Sequence, residues 1–108
     1  MATLRALGRS DYRQHNPAFE DGLEGICKVA ASRAPRPPPR FLKVVAEGDT
    51  VITLRRVPPQ PDAPTGAEER AIVDIFRLDE AGKVAEHWDF IETFPRGAEP
   101  PKNQNGRF

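Results

Sequence analysis

One cysteine, one methionine, one tryptophan and one tyrosine stand in a chain of 108 residues, and neither sign of charge is in excess, since 16 Lys plus Arg cancel 16 Asp plus Glu. The single Cys27 cannot close an internal disulfide, so the composition points to an intracellular, cytoplasmic setting. Zero net charge removes the positive field that drives binding to nucleic acid or anionic membranes. No apolar run approaches the ~20 residues of a membrane helix. The stretch from Met1 to Ser10 carries Arg5 and Arg9 but lacks a signal peptide's apolar core. No repeat at the period of a solenoid is visible. A chain of this length builds a single modest core, which predicts one domain spanning residues 1–108.

Proline, by contrast, is abundant. The 12 prolines fall mostly in three clusters, Pro35 to Pro39, Pro58 to Pro64 and Pro95 to Pro101, each of which interrupts helix and strand alike. Before the first cluster, Leu4, Leu7 and Tyr12 suggest a short helix, and Asn16-Pro17 an extended turn. Asp21 and Glu24 have capping-box spacing. Leu23, Ile26, Cys27 and Ala30 then follow at i, i+3, i+4 and i+7, predicting a helix from about Asp21 to Arg33. Beyond Pro39 the chain turns to β-branched runs. Phe41 to Ala46 and Thr50 to Val57 flank Glu47-Gly48-Asp49 as one hairpin; Arg70 to Leu78 and Lys83 to Thr93 flank Asp79-Glu80-Ala81-Gly82 as another. Helices first and strands after predict an α+β domain, with the helices on one face of an antiparallel sheet.

The loop of the second hairpin sets which side chains share a face. A three-residue loop with Gly82 left-handed places Asp79 opposite Lys83, Phe76 opposite Glu86 and Asp74 opposite Trp88. One face then carries Ile72, Asp74, Phe76, Leu78, Val84, Glu86, Trp88 and Phe90, and its apolar content marks it as the inner one. The other carries Val73, Ile75, Arg77, Ala85, His87, Asp89 and Ile91. A carboxylate among Ile72, Phe76 and Trp88 is expected to have its pKa raised by desolvation and to exchange protons near neutral pH. A four-residue loop instead brings Asp74 opposite His87, and both registers remain open at this stage.

Several segments resemble a known group. Tyr12-Arg-Gln14-His15-Asn16-Pro17, Gly22-Leu23-Glu24-Gly25 and Ala46-Glu47-Gly48-Asp49 are followed by Val73-Asp74-Ile75-Phe76-Arg77, Gly82-Lys83-Val84, Glu86-His87-Trp88-Asp89 and Asn105-Gly106-Arg107-Phe108. Together they are similar to the SnoaL-like branch of the nuclear transport factor 2-like superfamily. The resemblance implies a curved antiparallel sheet wrapped around helices as a cone with a deep apolar pocket. It further implies cofactor-independent aldol-type cyclisation of polyketide-like substrates, and a homodimer. By position it makes Asp74 the general acid/base and His15 a second catalytic residue at the pocket mouth. Tyr12, Phe76 and Trp88 become substrate-binding residues, with Tyr12 or His15 available to stabilise an enol. Two features depart from the pattern. The strand 51–56 lacks the His-x-His that relatives often carry, and the first helix is shortened.

The remaining features have plainer readings. His87 and Asp89 share a mixed face, as an acid/base pair or, in the plainer reading, a solvated ion pair; Cys27 fills the helix stripe; Glu86 is satisfied by a neighbouring arginine. Two isolated histidines give no metal site. Pro35-Arg-Pro-Pro-Pro-Arg40 has the form of a polyproline ligand for adaptor domains and is simpler as a stiff connector. The expected function is thus proton transfer next to the carbonyl of an apolar small molecule, without cofactor, nucleic acid or membrane. The alternative is a non-catalytic ligand-binding or dimerisation module of the same fold.

Overall fold

Alternating β-branched residues and two tight turns build most of the molecule. The computed structural model describes residues 2–33, 39–59, 69–94 and 100–108. The elements are α1 (Ala2–Leu7), β1 (Gly8–Gln14), α2 (Leu23–Ser32), β2 (Arg40–Glu47), β3 (Thr50–Val57), β4 (Glu69–Leu78) and β5 (Val84–Phe94). They form a five-stranded sheet in the order β1-β5-β4-β3-β2, with α1 and α2 packed at its β1 edge. Among the described residues no helix is long and apolar enough to cross a membrane. Residues 34–38, within the polyproline-like stretch, lie outside the described residues.

The α+β expectation holds, but the sheet is mixed and not wholly antiparallel. β1 runs parallel to β5, pairing Gly8 with Val84 and Gln14 with His87. The segment Gly-Arg-Ser-Asp-Tyr-Arg-Gln has almost no intrinsic strand signal. It is a strand because β5 offers an edge and because Gly8 and Tyr12 are buried there. Tyr12, expected to continue the first helix, therefore belongs to β1.

The second helix begins two residues later than expected. Gly22, at φ 83°, occupies the N-cap, and no side chain caps the helix. Asp21 instead accepts a hydrogen bond from the Gln14 backbone N–H at 2.9 Å, and Glu24 pairs with Arg5. Of the predicted stripe Cys27 is buried, together with Gly25. Leu23 lies across Gly8, where a Cβ would come within 2.6 Å of its Cδ1.

Both hairpins form, and each has a left-handed glycine at its turn, Gly48 (φ 59°) and Gly82 (φ 80°). At the second turn the Asp79 N–H donates to the Lys83 carbonyl at 2.8 Å, and Leu78 pairs with Val84, as the three-residue loop requires. The next pair is Arg77 with Glu86, so Ala85 is an extra residue, a bulge. From there on Phe76 faces His87, Ile75 faces Trp88 and Asp74 faces Asp89. Neither anticipated register survives past the bulge. Ala85, His87, Asp89 and Ile91 join Ile72, Asp74 and Phe76 on one face. Glu86, Trp88 and Phe90 move to the other with Val73, Ile75 and Arg77.

The buried residues confirm which face is inner: Ile72, Asp74, Ala85 and His87, with Thr53 from β3 and Tyr12 from β1. The opposite face leaves Val45, Ile52 and Phe90 exposed, and towards β2 and the end of β5 the inner face likewise leaves Phe41, Val44 and Ile91 exposed.

Gly25 offers a test of the packing. An exposed helical glycine normally gains about 0.5–1 kcal/mol on replacement by alanine. Here a Cβ would sit 2.2 Å from the Glu20 carbonyl oxygen. Gly25→Ala should therefore lower stability by about 2 kcal/mol in urea unfolding.

Candidate functional site

Asp74 sits in the middle of β4, flanked on both sides by paired strands, and only 3% of it is exposed. The β3 residue opposite is Thr53, and Arg55, two residues further, lies on the same face. The Arg55 Nε donates to Asp74 Oδ2 at 2.6 Å, and His87 Nε2 meets Oδ1 at 2.9 Å. Burial pushes the Asp74 pKa up, but the hydrogen bonds from His87 and Arg55 and their charges outweigh it, and the carboxyl is held below its ordinary value. This corrects the expectation of an acid that retains its proton. Asp74 is a carboxylate because the tertiary structure supplies it with two donors.

His87 is buried, stacked on Phe76 with ring centres 4.8 Å apart. Its Nδ1 lies 3.2 Å from Gln14 Oε1. Gln14 in turn donates through Nε2 to the Tyr12 hydroxyl at 2.9 Å. Burial, followed by the negative charges of Asp89, Asp74 and Asp21, pushes the Tyr12 pKa up, so its hydroxyl stays protonated. Asn16 completes the row, its Nδ2 donating to both oxygens of Asp89 at 2.9 and 3.0 Å. Far from being a solvated partner of Asp89, His87 is the buried link between Asp74 and β1.

The face reversal splits the predicted site. Tyr12, Asp74 and Phe76 come together. His15 and Trp88 lie on the other face, stacked 4.7 Å apart at 4°. There His15 Nε2 is 2.6 Å from Glu86 Oε2, and Arg77 Nε donates to Oε1 at 3.1 Å. The His15 hydrogen bond, against burial and aided by Arg77, holds Glu86 below the ordinary carboxylate range. The arginine partner foreseen for Glu86 is thus present. His15 reaches the Asp74 side through its backbone N–H, which donates to the His87 carbonyl at 3.1 Å.

Sequence reasoning did not single out Arg55, Thr53, Gln14 or Asn16, and it put His87 on the wrong side. Gln14 and Asn16 lay within the Gln-His-Asn-Pro signal and His87 within Glu-His-Trp-Asp, but only the bulge reveals which neighbours count. Thr53 Oγ1, buried opposite Asp74, has no hydrogen-bond partner among the described residues.

Asp74, His87 and Asp89 place one potential metal-ligand atom each within 4.8 Å of one another. All these groups already have hydrogen-bond partners, in Arg55, Gln14 and Asn16, and the Arg55 cation sits on the same carboxylate. The set is a closed hydrogen-bond network and carries no metal argument. A separate cleft at the turn end of the sheet is lined by Arg9, Gly48, Asp49, Arg77, Asp79 and Gly82, and by none of the residues predicted for the site.

No family model matches the chain, and no curated protein matches it. Among solved structures it is similar to TsrD from Streptomyces laurentii, with a TM-score of 0.62 and 27% identity over 84% of this chain and 75% of that one. This likeness suggests that the α+β arrangement is a known fold.

A depressed carboxyl pKa stabilises the fold above its unfolded value, near pH 4, and that contribution disappears as pH falls through the folded value. The gap in thermal midpoint between wild type and Asp74→Asn should therefore be widest near neutral pH and shrink below about pH 4. A gap independent of pH would mean that Asp74 is not held ionised.

Proposed function

We propose that this chain is a small-molecule pocket protein of the SnoaL-like, nuclear transport factor 2-like type, with the sheet as one wall of a cone. In this reading it acts without cofactor as an acid/base catalyst beside a carbonyl, in an aldol-type cyclisation or an isomerisation. The observation that carries the reading is the buried His87–Asp74 pair. The motif resemblance and the likeness to TsrD support it.

The chemistry follows from the donors and acceptors. Asp74, ionised and held by Arg55, accepts the Nε2–H of His87 and balances the charge that the imidazole gains. With Gln14 turned aside and the proton that Nδ1 donates to its Oε1 released to solvent, Nδ1 takes the proton from the carbon next to the substrate carbonyl, and the resulting enolate accepts a hydrogen bond from the protonated Tyr12 hydroxyl. Returning the proton to carbon or oxygen restores the neutral imidazole. Asp74 remains in the shuttle as one half of a coupled pair. Phe76 contributes the apolar wall on which His87 rests. His15, on the far face, reaches the pair through its backbone N–H on the His87 carbonyl, and Trp88 stacks on His15 there.

A second reading, a non-catalytic binding or dimerisation module, is favoured by two observations. Both imidazole nitrogens already have protein partners. The outer face exposes Val45, Ile52 and Phe90, a surface suited to a second copy in a homodimer.

Deuterium uptake into the α-carbon of an aryl ketone distinguishes the two. Wild type should accelerate exchange, His87→Gln and Asp74→Asn should each lower the rate by about 10²-fold or more, and the double variant should be no worse than either single one. No acceleration by wild type, with ketone binding retained, would select the binding module.

A further inference from the structure

We propose that Arg55, held in orientation by Asp74, seats the carboxylate of an otherwise apolar ligand on the inner face. This inference rests on the reading of that face as a small-molecule site and adds the ligand's chemical class.

The guanidinium of Arg55 reaches from a buried partner to the surface. Its side chain is 28% exposed while that of Asp74 is 4% exposed. Only Nε is engaged, on Asp74 Oδ2, and the two terminal nitrogens donate to no described residue. Their edge is a planar fork whose spacing matches the two oxygens of a carboxylate. The Asp74 bond fixes the orientation of the fork, so a ligand meets it already in place.

Thr53 lies between Arg55 and Val51 on the same face and is 7% exposed; its Oγ1 has no hydrogen-bond partner among the described residues and is closed off from solvent, so the ground beside the fork is dry and a charge-assisted bond made there is little screened.

The surroundings indicate the rest of the ligand. Across from Arg55 on β2 is Phe41, 54% exposed, and across from Thr53 is Val44, 61% exposed. Ile72 lies opposite Arg55 on β4. Two negative charges stand nearby: Asp74 is buried and already taken up by the Arg55 Nε, and Asp89 is on the β5 side of Asp74 and is covered by Asn16. The β3 side therefore presents one cation among apolar side chains, complementary to an apolar body with a single carboxylate.

Calorimetric titration with 2-naphthoate and its neutral analogue 2-naphthamide reads this directly. Wild type should bind the acid at least about tenfold more tightly than the amide. Arg55→Lys, which keeps the charge but loses the fork, should reduce that preference to about threefold or less. Equal affinity for acid and amide, a preference that survives Arg55→Lys, or acid binding lost on chelating divalent cations would each overturn the proposal. Binding and exchange fail separately. Acid preference without ketone deuteration leaves this inference standing and removes the catalytic reading, and deuteration without acid preference does the reverse.

Discussion

A carboxylate in the middle of a sheet is tolerable only if its charge is answered, and the answer given to Asp74 organises the inner face of this protein. Isolated burial of an ionised group costs several kcal/mol, so such a side chain is either protonated or paired. Arg55 from β3 and His87 from β5 bond one oxygen each, one from either neighbouring strand. The ion pair thereby spans three strands. Removing either donor leaves a buried acceptor short of a partner, which is why the arrangement is stringent about register and not merely decorative.

The bulge at Ala85 makes this possible. With the plain register of the turn, Asp74 would face Trp88, and His87 would point to the opposite side. One extra residue in β5 turns the sequence Glu-His-Trp-Asp over, delivering His87 and Asp89 to Asp74 and sending Glu86 and Trp88 to His15. The result is two polar clusters on opposite faces, each with a histidine and a carboxylate, joined by β1. Only the inner one is buried. Its chain of contacts continues through Gln14 to Tyr12, so the parallel β1–β5 pairing is as much a part of the site as Asp74 itself.

Much of the fold was legible. Both hairpins, the left-handed Gly82, the second helix and the burial of Cys27 follow from turn chemistry and periodicity, which act over a few residues. Asp74 and Tyr12 were singled out as well, and both lie in the buried hydrogen-bond network of the inner face. The capping role of Asp21, the helical placement of Tyr12 and the antiparallel edge were misread for one reason: each was decided by a partner distant in sequence. Gln14 draws Asp21 away from the helix end, and β5 draws Tyr12 into a strand. The protonation of Asp74 belongs with them. Apolar neighbours along β4 argued for a raised pKa, whereas the decisive donors stand 19 and 13 residues away.

What the amino-acid sequence determined by itself was therefore the alphabet of elements: where the four hairpin strands run, where glycine lets the chain reverse, and that an acid lies on a largely apolar strand. These are local properties, settled by backbone sterics and side-chain alternation within a turn or a strand. The tertiary structure alone decided which β5 side chains join the inner face, that β1 lies parallel to β5, and that Asp74 is ionised. A single bulged residue inverts every side chain beyond it, and the charge state of a buried group is set by whatever the fold brings within hydrogen-bonding distance.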